Sequence, residues 1–380
     1  MSTDTSASPR TPLYDFHRRY GTVAFGDVDG WQMPRVFENI KMEYLAAKGT
    51  VAVMDRSNYG RLRVSGAKRL DLLNRLTTND VKSVAAGQGA LTALLTDKGR
   101  MIDVLRLSAR EDFLWLLTSP GNQTRVMEQI VSMRFRDDVS LEDATPATAM
   151  ISLFGPQAAH LLGAAARSHH FDDLPEEGCR AMEIGGTQVT AIRTRGLGGA
   201  GYDIIADAAG AASVWQRIFA EGVPYGASPM GEEAWEMLRI ESGIPRFGRE
   251  LTEEHNPLEA GLSAAISFKK GCYVGQEVIA RLDSRQKVSR QLVGLWIEPG
   301  PVPPPSSSIE APGQQGTPVG TLTSVAPSLD FRRVIGLGYV RNEHAAAGTS
   351  LAIVDGGDRY NAVVSDLPFT KPTQPQPGRA

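Results

Sequence analysis

Cysteine is nearly absent from this chain. Cys179 and Cys272 are the two thiols in 380 residues, far apart and outside any C-x-x-C spacing. That excludes a disulfide framework and a cysteine-built metal centre, and it fits a reducing compartment. Histidine is as sparse: His17, His160, His169, His170, His255 and His344 show no H-x-x-x-H spacing, so a zinc hydrolase has no ligand set. His169-His170 reads as an exposed loop pair, and no bound metal is expected. No apolar run approaches membrane-spanning length, and Met1 to Arg10 lacks the apolar stretch of a signal peptide. With a net charge of −3 there is no bulk attraction to nucleic acid or anionic membrane, and no basic stripe with interleaved aromatics marks an RNA-binding module. What is left is a cytoplasmic globular protein, 42% hydrophobic and 22% charged, too long for one ordinary core.

An internal repeat organises the chain. Arg61 to Leu73 reads as a strand, a Gly turn at Gly66 and a helix start; Ile151 to Leu162 does the same, with Pro156 suited to a first helical position. Strands follow at Ala90 to Leu95, Met101 to Ser108 and Phe113 to Thr118, then a helix from Asn122 with Val126, Ile130 and Met133 on one face. The second half offers strands at Gln188 to Ile192 and Gly201 to Ile205 and a helix at Ala211 to Ala220. A further helix is expected from Pro229, with Ser228 as its cap, to Gly243. Beyond Arg290 the period is that of strands: Gln291 to Ile297, Pro318 to Val325, Val334 to Val340, Leu351 to Val354 and Ala362 to Val364, with Glu298 to Gly316 read as mostly loop. The expected fold class is α+β: two ferredoxin-like antiparallel α+β units and a small C-terminal β-barrel. The expected boundaries are a disordered lead (1–13), a first α+β domain (14–148), a second (149–289), the barrel (290–370) and a disordered tail (371–380).

The densest chemistry lies in Lys270-Gly271-Cys272-Tyr273-Val274-Gly275-Gln276-Glu277, where two glycines bracket a thiol, a phenol, an amide and a carboxylate. A lone cysteine is ordinarily a small buried hydrophobe, but this octapeptide resembles the K-G-C-Y-x-G-Q-E signature of folate-binding, YgfZ-type proteins, a branch of the glycine-cleavage T-protein (aminomethyltransferase) superfamily. Gly30-Trp31-Gln32-Met33-Pro34, Asn79-Asp80-Val81, Gly87-Gln88, Leu238 to Gly243 and Pro257 to Leu262 are similar to further superfamily elements, in family order, from about Tyr20 to Phe369. The resemblance implies three domains in a ring around a central tetrahydrofolate site, the ligand being tetrahydrofolate or its methylene or methyl derivative.

Site residues follow from both sources. Alternation places Asp103 on the apolar face of its strand with Met101, Leu105 and Leu107, where a carboxylate needs a partner or a task. Gly99 to Leu105 resembles the T-protein segment G-G-x-x-D-D-L, which implies a catalytic role for Asp103 beside the folate nitrogens; Val104 departs from the second Asp. Arg195 to Asp203 stands where T-proteins carry G-Y-T-G-E-D-G-F-E, implying Tyr202 and Asp203 at the pterin, although Gly199-Ala200 replace two acids and Asp203 is one methylene short. By the same resemblance Arg239 approaches the folate, and Lys270, Tyr273 and Gln276 are expected to bind the cofactor; Arg281 and Arg285, just after the octapeptide, are candidates for a glutamyl tail or for plain surface solvation. Cys272 is the candidate second catalytic group, a thiolate being both nucleophile and soft ligand. One cysteine cannot hold a cluster, since four ligands are the norm. Two functions therefore stand. The first is folate-dependent assembly or repair of iron–sulfur proteins, marked by the cysteine loop. The alternative is aminomethyl transfer from a lipoyl carrier protein to tetrahydrofolate, or a related folate-dependent demethylation.

Overall fold

A computed structural model describes residues 8–19, 21, 23–168, 171–197, 199–284 and 288–370. The His169-His170 pair, Arg285 and the tail expected at 371–380 lie outside the described residues, as do residues 1–7 of the lead. Two compact units are present. The first takes Met1–Trp235, Leu251–Pro257 and Leu262–Gln286; the second takes Glu236–Glu250, Leu258–Gly261 and Lys287–Ala380.

The first unit is built on two mainly antiparallel sheets. One has five strands in the order Gly89–Leu95, Met101–Ala109, Phe113–Thr118, Gly60–Ser65 and Ser140–Asp143. Helices Arg69–Leu76 and Gln123–Ser132 bury Leu72, Leu73, Val126 and Ile130 against Leu62, Leu105, Leu107, Leu114 and Leu116 of this sheet. Alternation of apolar residues along each strand makes that one-sided packing possible.

The other sheet has six strands, ordered Cys179–Ile184, Thr187–Arg195, Ala200–Asp207, Thr148–Phe154, Val51–Asp55 and Ala227–Pro229, the last pair being parallel. Helices Ala158–Ala165 and Ala211–Gly222 cover it, with Trp215 fully buried among Phe37, Val53, Leu153 and Ile204. The faces of the two sheets turned away from these helices meet in a small apolar layer of Trp115, Leu117, Met150, Cys179, Ile192 and Ile205.

Two local expectations are corrected here. The lead does not extend to residue 13: Thr11 and Leu13 are buried, the Thr11 hydroxyl donates to Asp55 at 2.7 Å, and Gln32 N–H donates to the Pro9 carbonyl at 2.8 Å. The helix expected from Pro229 begins instead at Glu232, because Ala227–Pro229 is drawn into the sheet edge beside Val51–Val53. Its start is served by Glu43, whose buried carboxylate accepts from Gly231 N–H at 2.8 Å and Phe37 N–H at 2.8 Å. A distant carboxylate thus satisfies amides that a local Ser cap was expected to serve.

The second unit is a closed barrel of Arg290–Ile297, Arg333–Arg341, Pro318–Ser328, Ser308–Glu310, Ser350–Asp355 and Asp358–Ser365, hydrogen-bonded in that order and back to the first. Leu295, Ile309, Leu322, Val340 and Ile353 fill it. The segment expected to be loop contains Ser308–Glu310, which supplies the strand that closes the barrel by pairing with both Pro318–Thr321 and Ala352–Val354. Closure removes the exposed edges an open sheet would carry. The fold is mixed α+β with a C-terminal barrel, as expected. Among the described residues no helix is long and apolar enough to cross a membrane.

Candidate functional site

Asp103 lies in the strand Met101–Ala109 next to a register shift: Leu94 pairs with Asp103 but Leu95 with Met101, so Ile102 is an extra residue. The bulge displaces Met101 and leaves the alternation intact from Asp103 onward, so Asp103 keeps the face of Leu105 and Leu107. Ile102 joins Leu105 and Leu107 in the helix-side core, where Met101 had been expected. The Asp103 carboxylate is fully buried. It accepts from the Ser119 hydroxyl at 2.6 Å, from Ser119 N–H at 3.0 Å and from Val104 N–H at 2.8 Å. Burial is the largest influence and pushes its pKa up to about 6, against the pull of these hydrogen bonds and that of Asn122. The chain around it is fixed by a tight turn after Phe113–Thr118: Asn122 N–H donates to the Ser119 carbonyl at 3.2 Å, and the Asn122 side chain to the Ile102 carbonyl at 2.9 Å. A neutral-range carboxyl in an apolar wall is equipped to move a proton.

The K-G-C-Y-V-G-Q-E loop packs beside the turn that leads into this strand. A Cβ on Gly275, whose φ is +82°, would lie 2.7 Å from the Thr96 carbonyl oxygen and 3.1 Å from the Gly99 Cα. Only glycine meets both demands, the left-handed φ and the close approach. Gly275→Ala is therefore expected to cost about 1–3 kcal/mol and to lower the denaturation midpoint of the first unit; an unchanged midpoint would mean that this contact is not needed.

Lys270 is placed differently from its expected role. Its ammonium donates to the carbonyls of Asn74 (2.5 Å), Thr77 (2.8 Å) and Asn79 (2.7 Å). These carbonyls lie at and just past the end of helix Arg69–Leu76, where they lack helical partners and a cation is favoured. Half-buried there, Lys270 has its pKa lowered to about 8 by burial, with Asp80 opposing. It anchors the loop. Tyr273 is buried, its N–H donating to the Gln276 side chain at 3.3 Å, so both shape the turn into helix Gln276–Ser284. Cys272 is exposed, as is Arg281.

Asp203 and Tyr202 point to opposite faces of strand Ala200–Asp207. Tyr202 is corrected to a core residue: it is fully buried under the helices and its hydroxyl donates to the Phe171 carbonyl at 3.1 Å. Asp203 faces the five-stranded sheet and is also fully buried. Arg106 donates to it at 2.5 Å and to Glu177 at 2.7 Å, the Ser152 hydroxyl donates at 2.5 Å, and Arg56 stands 3.8 Å away. Burial alone would raise the Asp203 pKa, but the charges of Arg106 and Arg56 hold it below the usual carboxylate range. Glu177 goes the other way, burial outweighing Arg106. Arg56 stacks on the Tyr59 ring at 3.9 Å. Buried Arg56 Nε, Arg106 Nη2 and Trp115 Nε1 have no hydrogen-bond partner among the described residues.

Arg239 is corrected as well. In the second unit it is fully buried and held by Glu236, by Glu250 at 3.0 Å and by the Ile244 carbonyl at 3.3 Å, with Ser324 alongside. Burial would raise Glu236, but Arg239, Arg249 and Arg246 drive its pKa down to about 2. That guanidinium is committed to the ion network of its own unit.

Sequence reasoning thus singled out Asp103 and Asp203 but missed Ser119, Asn122, Arg56, Arg106, Ser152 and Glu177. Arg106 had one available signal, as a charge in an otherwise apolar strand on the face opposite Leu105 and Leu107. Among the described residues no group of three or more His, Cys, Asp or Glu is arranged to hold a metal ion.

The GCVT N-terminal domain family matches residues 13–270, and the glycine cleavage T-protein C-terminal barrel domain matches residues 290–371. An aminomethyltransferase of Symbiobacterium thermophilum is 30% identical over 369 residues, covering 95% of this chain and 96% of that protein. An Arabidopsis thaliana chloroplast protein named only as a transferase is 32% identical over 356 residues, covering 92% of this chain and 78% of that one. The crystal structure of the glycine cleavage system aminomethyltransferase T of Bartonella henselae shares the fold, with a TM-score of 0.85 at 23% identity over 96% of this chain and 98% of that one. With its α+β portion and its barrel both matched in order along nearly its whole length, this chain belongs to the glycine cleavage T-protein family.

Proposed function

We propose that the protein transfers an aminomethyl-type one-carbon unit to tetrahydrofolate. The observation that carries this reading is Asp103, a fully buried carboxyl with a pKa near 6 whose hydrogen-bond donors are fixed by a turn. The order of the two functions expected from the octapeptide is reversed, because relatives matching 92% or more of the chain carry transferase names.

The donors in the structure suit a reduced folate. Its pterin carries ring acceptors, and Arg56 Nε, Arg106 Nη2 and Trp115 Nε1 are buried donors with no hydrogen-bond partner among the described residues. When bound, the folate supplies the nucleophilic nitrogens that take up the one-carbon unit. As folate nitrogens bond to the carbon, the carbon–nitrogen and carbon–sulfur bonds of the aminomethylated carrier break and release ammonia and the thiol; Asp103, as the carboxylate, would take up a proton that a folate nitrogen loses. Asp103 is fully buried, which keeps water from that carboxylate. Both oxygens of Asp203 already accept, one from Arg106 and the other from Ser152.

Iron–sulfur assembly stays as a second reading on one observation, the exposed Cys272 at the tip of an anchored loop. Turnover with an aminomethylated lipoyl carrier and tetrahydrofolate separates the two. Aminomethyl transfer predicts turnover that is lost in Asp103→Asn and kept within about twofold in Cys272→Ala, the size expected for a surface side chain outside the reacting groups. Folate binding without turnover, whatever the carrier, would sink the proposal in favour of the second reading.

A further inference from the structure

We propose that Ser119 is the positioning residue for Asp103, its hydroxyl fixing the carboxylate and setting how tightly that carboxylate holds its proton. The inference rests on the reading of Asp103 as the proton-accepting group.

The geometry is specific. Ser119 reaches one carboxylate with two donors: Oγ to Oδ1 at 2.6 Å and N–H to Oδ2 at 3.0 Å. Each oxygen of Asp103 is thereby held by the same residue, which fixes the plane of the carboxylate as well as its place. Ser119 is buried to 9% exposure. It is held from behind by the turn: its carbonyl accepts from Asn122 N–H at 3.2 Å, and Gly121, with φ at +72°, allows the chain to reverse within that turn. Asn122 then ties the turn back to the backbone beside Asp103 through the Ile102 carbonyl.

The largest influences on Asp103 are burial and hydrogen bonds: from the turn come Ser119 and Asn122, and from its own strand comes Val104 N–H. The nearest cation along the strand, Arg100, donates to the Glu254 carbonyl at 2.5 Å, and Arg106, three residues on, is bound to Asp203 and Glu177 on the opposite face. The balance between burial and these hydrogen bonds dominates the protonation of Asp103. The 2.6 Å hydroxyl bond is the shortest of those bonds, and short bonds to a carboxylate are the strong ones.

The test reads Asp103 directly, by carbon-13 NMR titration of its labelled side-chain carboxyl in the full chain, alongside the pH profile of kcat/KM. Asp103→Asn assigns the signal. Removing the hydroxyl in Ser119→Ala is expected to move the titration midpoint up by about one pH unit, because the charged form loses a donor. Ser119→Cys, close in size and a weaker donor, is expected to move it the same way by less, and Ser119→Thr to return it to the wild-type value. A midpoint unchanged in folded Ser119→Ala and Ser119→Cys overturns the proposal. If the NMR midpoint rises and the acid limb of kcat/KM rises with it, both positioning and the proton-accepting role are supported. If the NMR midpoint rises while the acid limb stays, Ser119 positions Asp103 but Asp103 is not the proton acceptor of the reaction.

Discussion

Asp103→Asn is expected to lower turnover by on the order of 10²–10⁴-fold, the usual contribution of a positioned general base, while making the protein more stable at neutral pH. The second half follows from linkage. Burial raises the Asp103 pKa to about 6 in the folded protein from an ordinary value of 3.8. A raised carboxyl pKa contributes stability fully present below the unfolded value, lost as pH rises through the folded one, and absent above it. At pH 7 the folded protein thus bears the cost of a desolvated charge, about 3 kcal/mol as an upper bound from a shift of this size. Asparagine removes the charge and keeps an acceptor for Ser119. Its NH2 group then meets backbone N–H of Ser119 or Val104, which offsets part of the gain. Denaturation midpoints at pH 4 and pH 7.5 decide the matter: the variant should match the wild type at pH 4 and exceed it at pH 7.5. Loss of stability at both pH values would instead make Asp103 a structural anchor.

That a group destabilises the fold and persists in the wall of an apolar core is what a working site looks like in energetic terms. The same residue shows how far sequence carries. A carboxylate in the run Met101 to Ser108 was legible as an anomaly because its neighbours are apolar and strand period is fixed at two. The bulge beside it, which puts Ile102 and not Met101 in the helix-side core, was not legible, since it exists only in the pairing of Leu94 and Leu95 with the next strand. The barrel strands could be read from their own alternation, but Ser308–Glu310 could not: three residues carry no period, and this segment is a strand because neighbours on both sides present unpaired backbone. Ser228 looked like a helix cap by type, yet the sheet edge beside Val51–Val53 claimed that segment. Arg239 was expected to face a ligand because it stands in a family motif. A motif gives position along the chain, and the carboxylates of Glu236 and Glu250 that absorb the guanidinium are a fact of packing.

Arg106 is the largest omission of that kind, and the expected cost of losing it is large. It joins Asp203, 97 residues away in sequence, and Glu177, 71 away, across the two sheets of the first unit. Arg106→Met keeps most of the stem and removes the charge, leaving two buried carboxylates with Arg56, 3.8 Å from Asp203, as the remaining cation. Stranding one partner of a buried ion pair typically costs about 3–5 kcal/mol. The pH dependence should change sign at Asp203. In the wild type its pKa is lowered by Arg106 and Arg56 against burial, so its stabilisation is present above the unfolded pKa and fades as pH falls. In the variant burial prevails and both carboxyls are raised, so stability should fall as pH rises and recover on acidification. Adding Asp203→Asn and Glu177→Gln to Arg106→Met removes the stranded charges and should restore most of the loss at neutral pH. If the triple variant remains as unstable as the single one, the cost lies in lost packing of the guanidinium and not in uncompensated charge, and the network between the sheets would have to be read as shape before electrostatics.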